Sequence, residues 1–357
     1  MTVKQISFYK KQQHAELKGL TCNILHNQVH VGLNGDLSLC CTAWMPWFVG
    51  NINETSILEY LKSSVHSDVI NSGIDGSFSY CDHSVCPEIQ SHLKTGTSKT
   101  LVKLEDFEPD PRMFLLLDYD KSCNLQCPSC RSKLIFFKDG NYPPHIIKTH
   151  ENTLKSLDEI LNTGQHVCMS ITGSGDLFAS KLYSDMMENY YHPSENYSFG
   201  IETNGILMTQ RVLEWANMRE RAKFFNISID ASTAETYSIV RKGGNFEKLK
   251  KNLDNFNLRL REGFFKLNPT FKTNFIVSTP NFREMADFAK WQISEYDQLT
   301  KVWFNCIADW FHLGQERFDE LAVWKTTHPD HAEFLEVLKD PIFKHPKVAL
   351  GNLSRFL

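Results

Sequence analysis

From Met113 onward the chain alternates between short apolar runs and stretches whose apolar residues recur at helical spacing. The runs predict strands over 113–118, 167–172, 198–203, 224–230, 270–277 and 301–306. The stretches between them predict helices over about 146–162, 180–191, 209–219, 246–262 and 282–295. Strands alternating with helices are βα units, built around a parallel sheet that helices cover. Upstream the pattern changes. Val29-His-Val-Gly-Leu33 and Asp36-Leu-Ser-Leu-Cys40 flank Asn34-Gly35. Asn-Gly between two alternating runs predicts a tight hairpin, because both turn residues tolerate positive φ. A short amphipathic stretch follows at 56–65. Residues 91–111 are polar, with Gly96, Pro109 and Pro111, and read as a linker. The expected domains are therefore 1–110, 111–310 and a capping segment 311–357, with one helix pattern at about 316–339.

The unusual residues fall at the predicted strand ends, where parallel α/β folds keep their chemistry. After the first strand comes Cys123-Asn-Leu-Gln-Cys127-Pro-Ser-Cys130, a C-x3-C-x2-C triplet. A ferredoxin-type four-iron cluster takes four cysteines, so three leave one iron open to a small chelating molecule. A zinc knuckle or unrelated core thiols would use the same residues. After the second strand comes Gly173-Ser174-Gly175-Asp176, whose glycines expose backbone to a close ligand and whose carboxylate can accept from an ammonium. Glu202-Thr-Asn-Gly205 ends the third strand. Ser228 and Asp230 end the fourth, on one face by the period of two. Asn274 sits inside the apolar fifth strand, Asp309-Trp310 follows the sixth, and Arg241 lies in between.

A second cysteine group precedes the βα region. Cys22 and Cys40 frame the hairpin with the spacing C-x12-G-x4-C, and Cys81 and Cys86 form a pair downstream. Four thiolates are enough to close a cluster, and equally enough for structural zinc. Cys41 could stand in for Cys40, but only Cys40 fits the glycine spacing; His83 between the pair could also ligate, and reads first as a solvated loop histidine.

The triplet, with the strand-end motifs in this order, resembles the radical S-adenosylmethionine (SAM) superfamily. The N-terminal cysteines with Gly50-Asn51 resemble its SPASM and twitch auxiliary domains, here placed before the barrel instead of after it. The resemblance implies an α/β fold with a partial (βα)6 TIM-type barrel. It implies a 4Fe-4S cluster on Cys123, Cys127 and Cys130 whose fourth iron binds SAM, and a 5′-deoxyadenosyl radical that abstracts hydrogen from a C–H bond. It assigns Gly173, Ser174, Gly175 and Asp176 to the methionine amino group, Ser228 and Asp230 to the ribose, and Arg241 to the carboxylate. An auxiliary iron–sulfur cluster on Cys22, Cys40, Cys81 and Cys86 would transfer electrons or be structural. A flavodoxin- or ferredoxin-type electron donor and a peptide or small-molecule substrate follow from the same likeness. Ser129 stands where the superfamily commonly has an aromatic residue beside the adenine. Cys168 and Cys306, within strands, are core thiols by default and hydrogen-atom donors if they face the barrel interior.

Composition narrows this further. With 41% hydrophobic and 22% charged residues the chain is ordinary globular protein. A net charge of -4 offers no general attraction to nucleic acid, which weighs against an RNA-modifying radical enzyme. Residues 1–20 are Lys- and Gln-rich, without a signal-peptide core, and no apolar run reaches membrane-spanning length. A reducing cytoplasm, with cysteines used as metal ligands and not in disulfides, is the expectation. The rival from another class is a non-catalytic scaffold with zinc at both cysteine groups.

Overall fold

The computed structural model describes residues 14–42, 44–137, 140–171, 174–308 and 313–357. The six βα repeats are present in chain order, and the fold is α/β with mostly parallel strand pairing. The chain packs as two compact units: residues up to 120 with 142–170 and 191–198, and residues 121–141 with 171–190 and 199–357. No helix among the described residues is long and apolar enough to cross a membrane.

The first unit holds β1 (Leu20–Cys22), β2 (Gln28–Val31), β3 (Asp36–Ser38), β4 (Gly50–Asn51), β5 (Leu101–Lys103), β6 (Arg112–Leu117) and most of β7 (His166–Ile171). The expected hairpin forms between β2 and β3, paired His30↔Ser38 and Val31↔Leu37. Its turn residues adopt φ of 59° at Asn34 and 83° at Gly35, the region Asn and Gly enter most easily. β2 then pairs in parallel with β6, from Gln28↔Phe114 to Val31↔Leu117. The cysteine hairpin is thereby built onto the first strand of the βα series.

Residues 91–111 do more than link. Helix Pro87–Thr95 covers their start, and β5 pairs antiparallel with β1, Leu20↔Lys103 to Cys22↔Leu101. Leu101 is buried, and the Glu88 carboxylate accepts from the Ser98 hydroxyl and the Lys99 and Thr100 amides. Polar composition concealed a segment that is held by one carboxylate and one buried leucine, and the boundary expected near 110 falls inside this unit.

The second unit holds β8 (Tyr197–Thr203, from Phe199), β9 (Ala222–Ser228), β10 (Thr270–Val277), β11 (Leu299–Cys306) and β12 (Val348–Ala349), neighbours in that order and parallel where paired. Alternation along β10 buries Phe271, Thr273, Phe275 and Val277 and leaves Lys272, Asn274 and Ile276 half-buried. The buried face meets the helices: Phe225 packs at a tilt on Phe256 at 4.4 Å and Phe275 on Phe288 at 4.9 Å between ring centroids. Each such ring contributes about 1.5–3 kcal/mol by burial. On the opposite face Phe224 lies against Gly200, where any Cβ would land inside the ring.

The pattern over 316–339 resolves into two helices, Gln315–Leu321 and His331–Val337. Pro329 lies between them, and proline excludes the helical hydrogen bond there and disfavours helix at the residue before it. The capping segment instead adds β12 beside β11, and the Asn352 side chain accepts from the Cys306 amide at 2.8 Å.

Candidate functional site

The triplet sits on a loop pinned from several sides within the second unit. The Cys123 amide donates to the Ile135 carbonyl, and the Cys130 and Arg131 amides both donate to the Cys127 carbonyl. The Gln126 amide donates to the Lys242 carbonyl at 2.9 Å, so the turn carrying Gly243 (φ 92°) clasps the loop. Arg131 was not singled out by sequence. Its guanidinium donates to the carbonyls of Lys121 and Ser174 and lies 3.6 Å from the Cys130 thiol. Cys123 and Cys127 are buried, and Cys130 is exposed. Burial pushes the Cys123 thiol up to about 11 and raises Cys127, the latter opposed by the Arg241 charge.

Arg241 is no surface arginine. Its Nη2 lies 2.6 Å from an Asp230 carboxylate oxygen, with the two side chains 12% and 5% exposed. Its Nη1 lies 3.8 Å from the Cys127 Sγ, and its Nε is buried without a partner among the described residues. Asp230 adopts φ 66°, and its other carboxylate oxygen accepts from the Ile276 amide at 2.8 Å. Burial raises the Asp230 pKa, and Arg241 opposes the rise.

Asp176, expected from sequence to meet an ammonium, already has partners inside the protein. It is fully buried, and its carboxylate accepts from the Phe178 amide, the Thr203 hydroxyl and the Asn204 amide. Three internal donors occupy it, so it braces the ends of two strands. Asn204, held by that brace, donates to the Asn124 side chain at 2.9 Å and lies 3.8 Å from the Cys123 Sγ. Ser174 and Gly175 are half-buried beside it, and Gly173, like Asp309 and Trp310, lies outside the described residues. Ser228 ends β9 half-buried, on the face shared with Asn226, and Asn274 lies opposite it in register on β10.

The same face carries a row that sequence reasoning passed over as part of a turn. Glu202, Asn226 and Lys272 are in register on three neighbouring strands, and the Asn226 amide donates to the Glu202 carboxylate at 2.6 Å. Burial pushes Glu202 up to about 7, with Asn226 and the Lys272 charge pulling it back. Cys306 takes no part here; it lies on the face of β11 shared with Phe304, which meets Phe288, so the hydrogen-donor option for it is withdrawn. Cys168 is buried within β7.

In the first unit Cys22, Cys40, Cys81 and Cys86 converge closely enough for each thiol's charge to affect others of the set. Among the described residues no three His, Cys, Asp or Glu side chains are placed to grip one metal ion. Cys81 and Cys86 pack with Leu17, Leu20, Phe78, Ile89 and Leu101, and Cys22 and Trp44 lean on that cluster. The Trp44 indole donates to the Cys40 Sγ at 3.1 Å, and Cys22 lies 3.7 Å from the Thr100 hydroxyl. Burial raises all four thiols, Cys81 well above its usual range and Cys86 to about 11. The His83 ring is buried and meets the Phe78 carbonyl at 3.1 Å, so it is not the solvated loop histidine the sequence suggested.

Residues 121–291 match the radical SAM superfamily, and residues 22–87 match an iron–sulfur cluster-binding domain, SPASM. Among solved structures the chain is similar to a radical SAM methyltransferase from Sphaerobacter thermophilus, at 11% identity and a TM-score of 0.40, over 70% of this chain and 68% of that one. No curated protein matches the chain. The cofactors that go with these two domains are a 4Fe-4S cluster with SAM and an auxiliary iron–sulfur cluster. The donors present match these groups in kind and number: three thiols on one pinned loop with a buried guanidinium nitrogen beside it, and four partly or wholly buried thiols upstream.

Proposed function

From the match of residues 121–291 to the radical SAM superfamily and of residues 22–87 to a SPASM domain, we propose that the chain is an enzyme that removes a hydrogen atom from an unactivated C–H bond of a peptide or small-molecule substrate. When bound and reduced by one electron, the cluster and SAM supply a 5′-deoxyadenosyl radical. Cys123, Cys127 and Cys130 hold that cluster, and Cys22, Cys40, Cys81 and Cys86 hold the auxiliary one, which passes electrons to or from the reaction. Arg131 fixes the loop by tying Lys121 and Ser174 together across it. Asp176 acts at one remove, by holding Asn204 against Asn124 and the Cys123 thiol. The backbone of Gly173, Ser174 and Gly175 then meets the methionine amino group, Ser228 the ribose, and the Arg241 Nε the carboxylate. Asp230 serves by orienting Arg241. The electron donor is of flavodoxin or ferredoxin type.

The observation that carries this reading is the pinned three-thiol loop facing a buried arginine that keeps one donor in reserve. The test is anaerobic reconstitution with iron and sulfide, counting iron and assaying 5′-deoxyadenosine from SAM and dithionite. About eight irons are expected for two four-iron clusters. Replacing Cys123, Cys127 and Cys130 by Ala should remove about half of them and all deoxyadenosine. Cys81→Ala with Cys86→Ala should remove the other half. Zinc in place of iron, with no deoxyadenosine formed, would leave the scaffold reading standing.

A further inference from the structure

Arg241 touches two groups of opposite consequence. One guanidinium nitrogen is 2.6 Å from the Asp230 carboxylate and another is 3.8 Å from the Cys127 thiol. Both charged side chains are nearly enclosed, where a charge is weakly screened and acts strongly on its neighbours. Neither is placed by chance. Asp230 is held by the Ile276 amide on its second oxygen, and its carbonyl accepts from the Asn281 side chain at 2.9 Å. Arg241 is held by its backbone N–H, which donates to the Tyr237 carbonyl, and by the Gly243-Gly244 turn behind it, where a Cβ on Gly244 would meet the Tyr237 ring at 2.7 Å.

We propose that the Asp230–Arg241 pair sets the reduction potential of the iron–sulfur cluster held at Cys127, the cation easing its reduction and the carboxylate limiting that effect. The inference rests on the function proposed above. Reduction adds one negative charge to the cluster and its thiolates. A guanidinium against one of those thiolates stabilises the reduced form, as hydrogen bonds to cluster sulfurs generally do. The carboxylate, paired to the same guanidinium, cancels part of its charge. Both residues are positioning residues here: they act through Cys127, and the electron comes from an external one-electron donor.

The experiment is an EPR-monitored redox titration of the reconstituted full chain without SAM, using dithionite as reductant. Arg241→Gln should shift the cluster to lower potential, and Asp230→Asn should shift it to higher potential. Asparagine suits the positive φ at 230 and keeps an acceptor for the Ile276 amide, so that variant retains the fold. Arg241→Lys, which keeps the charge, should recover most of the loss seen with Gln. The auxiliary cluster's potential is the internal control and should stay put. Iron content and melting temperature report folding. Unchanged potentials, or shifts of the same sign in Arg241→Gln and Asp230→Asn, with full iron would overturn this inference alone. A wild-type chain that takes no iron on Cys123, Cys127 and Cys130 would overturn it together with the function it rests on.

Discussion

The two thiol groups answer one chemical need with opposite architectures. Upstream, four cysteines are partly or wholly buried, two of them inside an apolar cluster, and the polar contacts seen at their sulfurs are neutral ones from Trp44 and Thr100. Downstream, three cysteines share one loop, one of them exposed, with Arg131 and Arg241 both within 4 Å of a sulfur. Burial raises the pKa of all four upstream thiols, so their thiolate forms are costly in the metal-free protein. Cations beside thiols and an exposed third thiol are what the proposed function needs of a centre that exchanges an electron and admits a ligand. The lesson is that cysteine count separates the two sites less sharply than the charge placed around the sulfurs does.

The sharpest way to break this contrast is to damage one side only. Gly35→Ala forces alanine to φ 83° and drives its Cβ to 2.8 Å from the Ile52 side chain and closer still to Asn53. A loss of about 2–4 kcal/mol is expected, with iron lost upstream and kept on the downstream loop, read by thermal unfolding and iron count. A smaller effect should come from Glu202. Its folded pKa of about 7 exceeds the unfolded value of 4.5, so the folded state holds the extra proton between those values and stability falls as pH rises through that window. In Glu202→Gln that decline between pH 5 and pH 8 should shrink by about 1–3 kcal/mol, allowing for the partial solvent access of the side chain. Melts at the two pH values that decline equally in both proteins would refute it. Smaller again, in metal-free protein Cys81→Ala should lose about 1–2 kcal/mol from the apolar cluster. Cys130→Ala, on an exposed side chain, should stay within about 0.5 kcal/mol. Equal losses in those two would erase the difference between a core site and an open loop.

Much of this molecule is legible along the chain, and the reasons are local. Alternating apolar runs defined β10 to the residue, because period-two burial needs no knowledge of distant partners. Asn34-Gly35 announced its turn through backbone sterics alone. The two cysteine groups stood out because their thiols recur at short, fixed spacings along the chain.

What tertiary structure decided is pairing between residues far apart in sequence. Sequence separated the hairpin from the βα series, yet β2 joins β6 because both expose free strand edges that a buried ladder must satisfy. A polar stretch read as a linker became β5 for the same reason. Asp176 read as a ligand carboxylate, but three donors from 178, 203 and 204 claimed it. Glu202, Asn226 and Lys272 form a row only because strand register aligns them. Likewise, nothing in the order of residues put Arg241 between Asp230 and Cys127; a buried charge goes wherever the fold supplies its counter-charge, and only the packed chain decides where that is.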